Sequence, residues 1–203
     1  MKRFLTLLAL AAAAAAVFVS TRPSEFRIER SVMIDAPRPI VFGNLDDFRR
    51  WVAWSPWEKL DSAMQRTYDG PASGPGASYH WRGNSDVGEG RMTILASEPP
   101  LRLALRLEFL APMQATNDVA FDVSPHVAGT TEVRWSMTGT NNFVAKAFGL
   151  VFDMDATVGG DFERGLAELK RVSEEQAQLE ARRAAEQAAL TAAAASEEAP
   201  AAP

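Results

Sequence analysis

Strict alternation of apolar and polar residues recurs in short segments between residues 64 and 138, and it constrains the fold more than any other feature of the chain. In residues 101–109, Leu or Phe occupies every odd position, and Arg, Ala or Glu occupies every even one. Such a segment is a strand with one buried face, because successive side chains of a strand point to opposite sides. Turn-forming residues separate the segments at short intervals, which favours an antiparallel sheet with one solvent-exposed face.

Helical periodicity precedes and follows these strands. Residues 26–34 alternate as one more strand, and residues 38–54 then show helical spacing. After Gly139, apolar residues recur three and four positions apart through residue 172. We expect one long amphipathic helix here, bent or loosened at Gly159-Gly160 and capped at its restart by Asp161.

The order of these elements predicts the architecture. A long helix with an apolar face must cover that face, and the dry side of the sheet is the surface available to it. The sequence therefore predicts an α+β helix-grip fold. In this fold a curved antiparallel sheet of about seven strands wraps a long C-terminal helix, with a potential cavity between them.

The first 22 residues predict a membrane anchor or a signal segment. Lys2 and Arg3 precede an uncharged, largely apolar run that reaches Thr21, about 27 Å of helix and close to the minimum for a bilayer. A secretory signal has a similar form, but cleavage after Ser20 would place the bulky Phe18 where a small residue is preferred. We therefore favour an uncleaved anchor, with an exported, cleaved protein as the alternative. The N-terminal charges predict a single-pass protein whose body lies outside the cytoplasm.

Residues 174–203 differ in composition from the rest of the chain. They are rich in Ala, Glu, Gln and Arg, and only Leu179 and Leu190 are large apolar residues. Helix propensity is high up to about residue 190, whereas the prolines at the end cannot continue a helix. The predicted organisation is thus an N-terminal segment (1–22), a folded domain (23–173) and a helical extension that ends in a disordered tail (174–203).

Composition excludes several kinds of chemistry. The chain has no cysteine and two histidines, which rules out disulfides, thiolate metal sites and cysteine nucleophiles. The net charge of −5 becomes −8 when the three basic residues before Glu25 are left out. Such an acidic body has no reason to bind nucleic acid. No phosphate-binding or dinucleotide-binding motif is present, and we expect neither a metal nor a cofactor.

Several local motifs resemble one protein superfamily. Ile34-Asp35-Ala36-Pro37, Val41-Phe42, Asp46-Asp47 and the Trp51–Trp57 cluster look like the opening of START-like proteins (the SRPBCC superfamily) of the polyketide cyclase/dehydrase and lipid-transport type. Residues 88–92 and 161–166 resemble its bacterial, membrane-tethered or exported branch. The resemblance covers residues 24–173. It implies the helix-grip fold and a hydrophobic ligand cavity in a protein of the bacterial inner membrane, but no single activity.

The predicted function is binding of a hydrophobic or amphipathic small molecule, such as a lipid, in this cavity. Asn117 lies in phase with apolar neighbours on its strand, so its amide must find a partner, and a ligand is one option. The Trp51, Trp54 and Trp57 side chains either line a cavity mouth or, as we favour, close the core. The candidate ligand-binding residues are Trp54, Tyr79, Trp81, Met92, Leu105, Asn117, Phe121, Trp135, Phe148 and Phe152.

Two other functions stay open. A polyketide cyclase or dehydratase would need His80, Glu89 or Asn117 as acid–base or orienting groups, with at least two of them in one pocket. The alternation of the strand places His80 opposite Tyr79 and Trp81, so we regard an enzyme as less favoured and name no catalytic residue. The third possibility is a non-catalytic module whose C-terminal tail binds a partner protein. The sequence does not indicate an oligomeric state.

Overall fold

The computed structural model describes residues 2–197. An apolar helix leads into an antiparallel sheet, and a helix of 44 residues packs on that sheet. The helices are α1 (Lys2–Ser20), α2 (Arg38–Leu45), α3 (Phe143–Phe148) and α4 (Met154–Glu197), with 3₁₀ turns at Phe48–Ala53, Pro56–Lys59 and Val127–Gly129. The strands are β1 (Glu25–Ile34), β2 (Gln65–Asp69), β3 (Ser78–Arg82), β4 (Glu89–Glu98), β5 (Arg102–Ala111), β6 (Ala115–Pro125) and β7 (Thr131–Thr140).

The seven strands form one sheet in the order β1-β7-β6-β5-β4-β3-β2. Every neighbouring pair is antiparallel, as the short turns predict. Because β1 returns to pair with β7, its first residue Glu25 lies opposite the last, Thr140. The expected curved sheet of about seven strands on a long C-terminal helix is confirmed.

The two ends of the sheet carry different connections. The α1 end, as we call it, holds the start of β1, the end of β7 and the β5–β6 turn. The opposite end, called the α2 end, holds the start of α2 and the β4–β5 and β6–β7 turns. Strands of ten residues separate the two ends by about 33 Å.

Helix α4 is tied to β1 by polar contacts along its length. Arg30 lies on the helix-facing side of β1, where its guanidinium donates to Asp155 at 3.0 Å and to Glu163 at 2.8 Å. Two turns later Lys170 donates to the Met33 carbonyl at 2.7 Å, and Glu174 accepts from the Asp35 amide at 2.8 Å. Helix α4 and β1 therefore run in the same direction, away from the α1 end.

The predicted helix boundaries are wrong in three places. Helix α4 continues through Gly159-Gly160 without interruption, because Arg30 and the sheet support this stretch, and Asp161 pairs with Arg164 as an interior residue. Residues 143–152 form the separate α3 and a loop, not the beginning of α4. The helix predicted for residues 38–54 ends at Leu45 and restarts as a 3₁₀ turn, where Asp47 caps the Arg49 amide.

Aromatic rings fill the space between the sheet and α4 near the middle of the sheet. Trp51 and Trp54 are 1% and 0% exposed, and each packs edge-to-face against Phe121. The Trp135 ring stacks on Phe162 of α4 with 4.0 Å between ring centroids. Trp51 and Trp54 thus belong to the core, which is the alternative that the sequence favoured.

The terminal helices extend beyond this core. In α1, Val19 is buried at 5% exposure, while its other described side chains are exposed. Its stretch Arg3–Ser20 is long and apolar enough to cross a membrane, although an N-terminal signal sequence has the same properties. At the other terminus, Leu179 and Leu190 of α4 are more than half exposed. Helix α4 continues to Glu197, past the predicted end of the helix near residue 190, and residues 198–203 lie outside the described residues.

Candidate functional site

One row of helix-facing residues crosses the sheet near its α1 end. Register places Phe26 beside Gly139, Gly139 beside Asn117, and Asn117 beside Leu107, which in turn faces Met92. Asn117 is the polar residue of this row. The other members, Phe26, Leu107 and Met92, are apolar, and Gly139 has no side chain. The hydrogen bonds between α4 and β1 begin at Arg30, so this row lies beyond the part of α4 that they fix.

Gly139 makes room for the Asn117 amide. A methyl group at residue 139 would overlap Asn117 Oδ1 and would lie 2.8 Å from the Phe26 ring. The Asn117 side chain is buried at 8% exposure, yet it has no hydrogen-bond partner among residues 2–197. The polar atoms of this amide keep contact with solvent and are unpaired within the described chain, so they can pair with a polar group of a ligand that enters the row.

Exposure along the helix-facing side of the sheet differs between its two ends. Phe26, Leu107 and Phe109, near the α1 end, are only half-buried. Leu103 and Phe121, nearer the α2 end, are fully buried. The space between sheet and helix is therefore closed by packed side chains toward the α2 end and is accessible toward the α1 end.

Eight of the ten candidate ligand-binding residues lie in the core between the sheet, the 3₁₀ turns and α4. Each of these eight is at most 9% exposed: Trp54, Tyr79, Trp81, Met92, Leu105, Asn117, Phe121 and Trp135.

Phe148 and Phe152, the other two candidates, lie apart from the core. They are 57% and 55% exposed and stack on each other at 4.2 Å between centroids. Their expected place in a cavity lining depended on α4 beginning at residue 143, which it does not. They lie in the connection between β7 and α4, which leaves the sheet at the α1 end.

Trp54 and Trp135 differ in how their indole N–H groups are satisfied. Trp54 Nε1 donates to the Asn44 carbonyl at 3.0 Å, whereas Trp135 Nε1 is the single buried side-chain polar atom in the described chain without a protein partner. We expect Trp54→Phe to lower the free energy of unfolding by about 1–2 kcal/mol more than Trp135→Phe, because only Trp54→Phe leaves a protein acceptor unpaired. Urea unfolding of both variants measures the difference, and equal losses would contradict it.

A buried polar cluster that the sequence did not predict closes the core beside β3. Glu58 accepts from the Tyr79 hydroxyl at 2.6 Å and from Arg66 Nε at 2.7 Å, and its side chain is 4% exposed. Burial and the hydrogen bond to Glu58 raise the pKa of Tyr79 well above its ordinary value. The Tyr79 hydroxyl is thus committed to Glu58. Glu58 stands between Trp57 and Lys59, a context that gives no sign of burial.

His80 and Glu89 lie on the outer face of the sheet, as the alternation predicts for His80. His80 Nε2 is 3.1 Å from Glu89 Oε1, and Arg82 donates to the same carboxylate at 2.9 Å. The hydrogen bond from Arg82, aided by the one to His80, holds the pKa of Glu89 below its ordinary value. Asn117 faces the opposite side, so the three possible catalytic groups do not meet in one pocket.

Two surface grooves lie at opposite ends of the sheet. A groove of about 390 Å³ at the α2 end runs between α2 and the β2–β3 and β4–β5 turns, and it includes Asp46, Asp47 and Arg50. Asp46 already accepts from Ser97 at 3.0 Å. A second groove, of about 310 Å³, lies at the α1 end and includes Arg22, Asn141 and Lys146. Only the second lies on the same side of the molecule as the exposed end of the Asn117 row.

Comparison with protein families gives one match that covers most of the domain. The model of the family described as polyketide cyclase / dehydrase and lipid transport matches residues 25–174. The chain belongs to this family. The matched range runs from the first residue of β1 to the point where α4 leaves the sheet, and it includes the sheet, the aromatic core and the Asn117 row of this chain. A comparison with curated proteins finds no match.

Solved structures of the same fold come from several bacteria. A Thermobifida fusca protein aligns at 19% identity over 73% of this chain and 93% of its own, with a TM-score of 0.56. The Aha1 dimer from Colwellia psychrerythraea aligns at 17% identity over 73% of this chain and 96% of its own, with a TM-score of 0.53. Protein CV1439 from Chromobacterium violaceum aligns at 13% identity over 75% of this chain and 99% of its own, with a TM-score of 0.53. At these identities the likeness establishes the helix-grip fold of the family member and nothing about its ligand.

Proposed function

We propose that this family member binds one hydrophobic or amphipathic small molecule, of the lipid class, between the sheet and α4 at the α1 end. The observation that carries the proposal is Asn117, a largely buried residue whose solvent-accessible amide has no hydrogen-bond partner among the described residues and lies in an otherwise apolar row. The half-buried Phe26 and Leu107 beside it leave that row accessible. The family, which includes lipid-transport proteins in its description, supports the same class of ligand.

The chemistry of the row defines what such a ligand carries. Its apolar body gains about 25 cal/mol for each Å² removed from water against Phe26, Leu107 and Met92. Its single polar group meets the Asn117 amide, which offers both a donor and an acceptor and so accommodates a carbonyl or a hydroxyl.

We also propose that α1 anchors the domain in the bacterial inner membrane. Lys2 and Arg3 are the first two residues of α1 and precede its apolar run, and this charge arrangement favours a cytoplasmic N-terminus with the domain outside the cytoplasm. The alternative is an exported protein from which this helix is removed. The mass of the purified chain distinguishes the two, since cleavage would remove about 20 residues.

An enzymatic function has less support. His80 and Glu89 lie on the outer face of the sheet and point away from the Asn117 row, so no acid–base pair of the three candidates faces that row. We therefore propose binding, with transport or sensing of the ligand as its use.

Asn117→Leu tests the binding site, with Thr116→Leu as the matched control on the outer face of the same strand. The full chain is purified in detergent micelles and released intact in a native mass spectrometer, where a bound lipid appears as an added mass. We expect one adduct per chain in the wild type and in Thr116→Leu, and a five- to tenfold lower occupancy in Asn117→Leu, because the amide no longer pairs with the ligand.

Circular dichroism of the three proteins shows whether each variant is folded. Absence of any adduct from the folded wild type would overturn the proposal, as would equal occupancy in all three proteins. Organic extraction of the same preparations identifies the adduct.

A further inference from the structure

The connection between β7 and α4 exposes an unusual amount of apolar surface. Across residues 143–154, called here the α3 segment, seven large apolar side chains are between 46% and 81% exposed: Phe143, Val144, Phe148, Leu150, Val151, Phe152 and Met154. A soluble surface seldom presents so many neighbouring apolar side chains, and a contiguous patch of this kind marks a site of contact with a protein or a membrane.

One more exposed apolar side chain, outside the α3 segment, lies at the α1 end of the sheet. Met113, in the β5–β6 turn, is 75% exposed. The start of β6 lies near the end of β7. The β5–β6 turn, which leads into β6, and the α3 segment, which follows β7, are therefore both at the α1 end. Two separate connections therefore expose apolar side chains at the same end of the sheet.

The α3 segment also lies beside α1. Helix α3 is in contact with α1. Just after α1 ends, the Ser24 carbonyl accepts a hydrogen bond from the backbone N–H of Asn141 at 2.7 Å. The apolar surface of the segment is thus continuous with the helix that we propose to span the bilayer. A membrane in which α1 is embedded would begin where these exposed side chains lie.

Two basic side chains border this surface. Arg22 and Lys146 line the groove of about 310 Å³ between the end of α1 and α3, and neither forms an ion pair within residues 2–197. Glu25 follows Arg22 by three residues in the chain, and Asp153, inside the α3 segment, accepts from the Ala156 backbone N–H at 2.9 Å. Basic groups at the edge of an apolar surface complement the phosphates of anionic lipids.

We propose that the α3 segment and Met113 insert into the interface of an anionic phospholipid bilayer, with Arg22 and Lys146 facing its phosphates. The inference rests on the proposed anchor and binding site. It adds that the accessible end of the Asn117 row faces the membrane directly. A lipid then passes between bilayer and binding site without crossing bulk water.

The absence of cysteine from the chain allows a direct test. Full-length Val151→Cys, Met113→Cys and Val127→Cys are labelled with the environment-sensitive dye NBD and reconstituted into vesicles of phosphatidylcholine and phosphatidylglycerol (3:1). Val127 is the matched control, since it is 72% exposed but lies at the α2 end. We expect spin-labelled lipids to quench the dye at 151 and 113 at least threefold more strongly than at 127.

Vesicles of phosphatidylcholine alone, and the Arg22→Gln/Lys146→Gln variant, test the contribution of charge. Each is expected to reduce the quenching at 151 at least twofold. Equal quenching at all three positions would overturn the inference, as would a blue-shifted dye at 151 that lipid spin labels do not quench, because it would be buried in protein.

Failure of this inference is distinguishable from failure of the proposed function. Flotation of the chain with the vesicles reports on the α1 anchor, and the mass-spectrometric adduct reports on the binding site. A chain that floats and carries its adduct, but whose labels stay in water, would refute only the membrane-facing surface.

Discussion

Glu58→Gln is expected to lower the free energy of unfolding by about 3 kcal/mol, which corresponds to a fall in Tm of roughly 6–12 °C. The Glu58 carboxylate is 4% exposed and accepts one hydrogen bond on each oxygen, from Tyr79 and from Arg66. A glutamine of the same size turns one of these acceptors into a donor. With its oxygen toward Arg66, the glutamine N–H donates to the Tyr79 hydroxyl oxygen, whose own proton then loses its acceptor inside the core, and the charge of Arg66 loses its partner.

Glu168→Gln is the control for the same chemical change at the surface. Glu168 pairs with Lys59 and Arg171, but more than a third of its side chain is exposed, so solvent screens these interactions. We expect its free energy of unfolding to stay within about 0.5 kcal/mol of the wild type. Thermal unfolding followed by circular dichroism compares the pair, and similar Tm values for both variants would show that the Glu58 cluster does not stabilise the core.

The adjacent glycines of α4 should respond in opposite directions to the same substitution. Gly160→Ala places a methyl group 3.7 Å from its nearest neighbour, Arg164 Nη1, and should raise the free energy of unfolding by about 0.5–1 kcal/mol through higher helix propensity. Gly159→Ala would overlap the Arg30 guanidinium. Overpacking of this kind costs about 1–3 kcal/mol and exceeds the gain in propensity.

Arg30 cannot move aside without losing its contacts. Its guanidinium is held by Asp155 and Glu163 on either side of Gly159, and both carboxylates raise the pKa of Arg30 above its ordinary value. Urea unfolding of the two variants gives the comparison. If Gly159→Ala proved as stable as Gly160→Ala, the close approach of Arg30 to α4 would be excluded as a determinant of the helix position.

The elements of the fold were predictable because each has a period visible in the sequence. Alternation gave the strands, and helical spacing gave the face of α4 that contains Phe162 and Leu166. The helix boundaries were less predictable, since tertiary contacts decide them. Two adjacent glycines, Gly159 and Gly160, predict a break in the helix. The helix is nevertheless continuous, because Arg30 of β1, which precedes Gly159 by 129 residues, packs against this stretch.

The candidate site was predictable only in part. Strand alternation identified Asn117, since a polar residue in phase with apolar neighbours is visible without a structure. Glu58 could not be identified in this way, because its burial depends on Tyr79 and Arg66 from two later strands. Phe148 and Phe152 matched a helical stripe, but a stripe does not show whether α4 starts before or after them.

The exposed part of α4 determines how far the end of this helix lies from the domain. From residue 178 to residue 197 the helix continues for about 30 Å after its last contacts with the domain, in the direction that leads away from α1. With α1 in a bilayer, the sheet adds about 33 Å along the same direction. The end of α4 at Glu197 would then stand on the order of 60 Å above the lipid, so a partner bound to this exposed part of the helix would be held at a corresponding distance from the membrane surface.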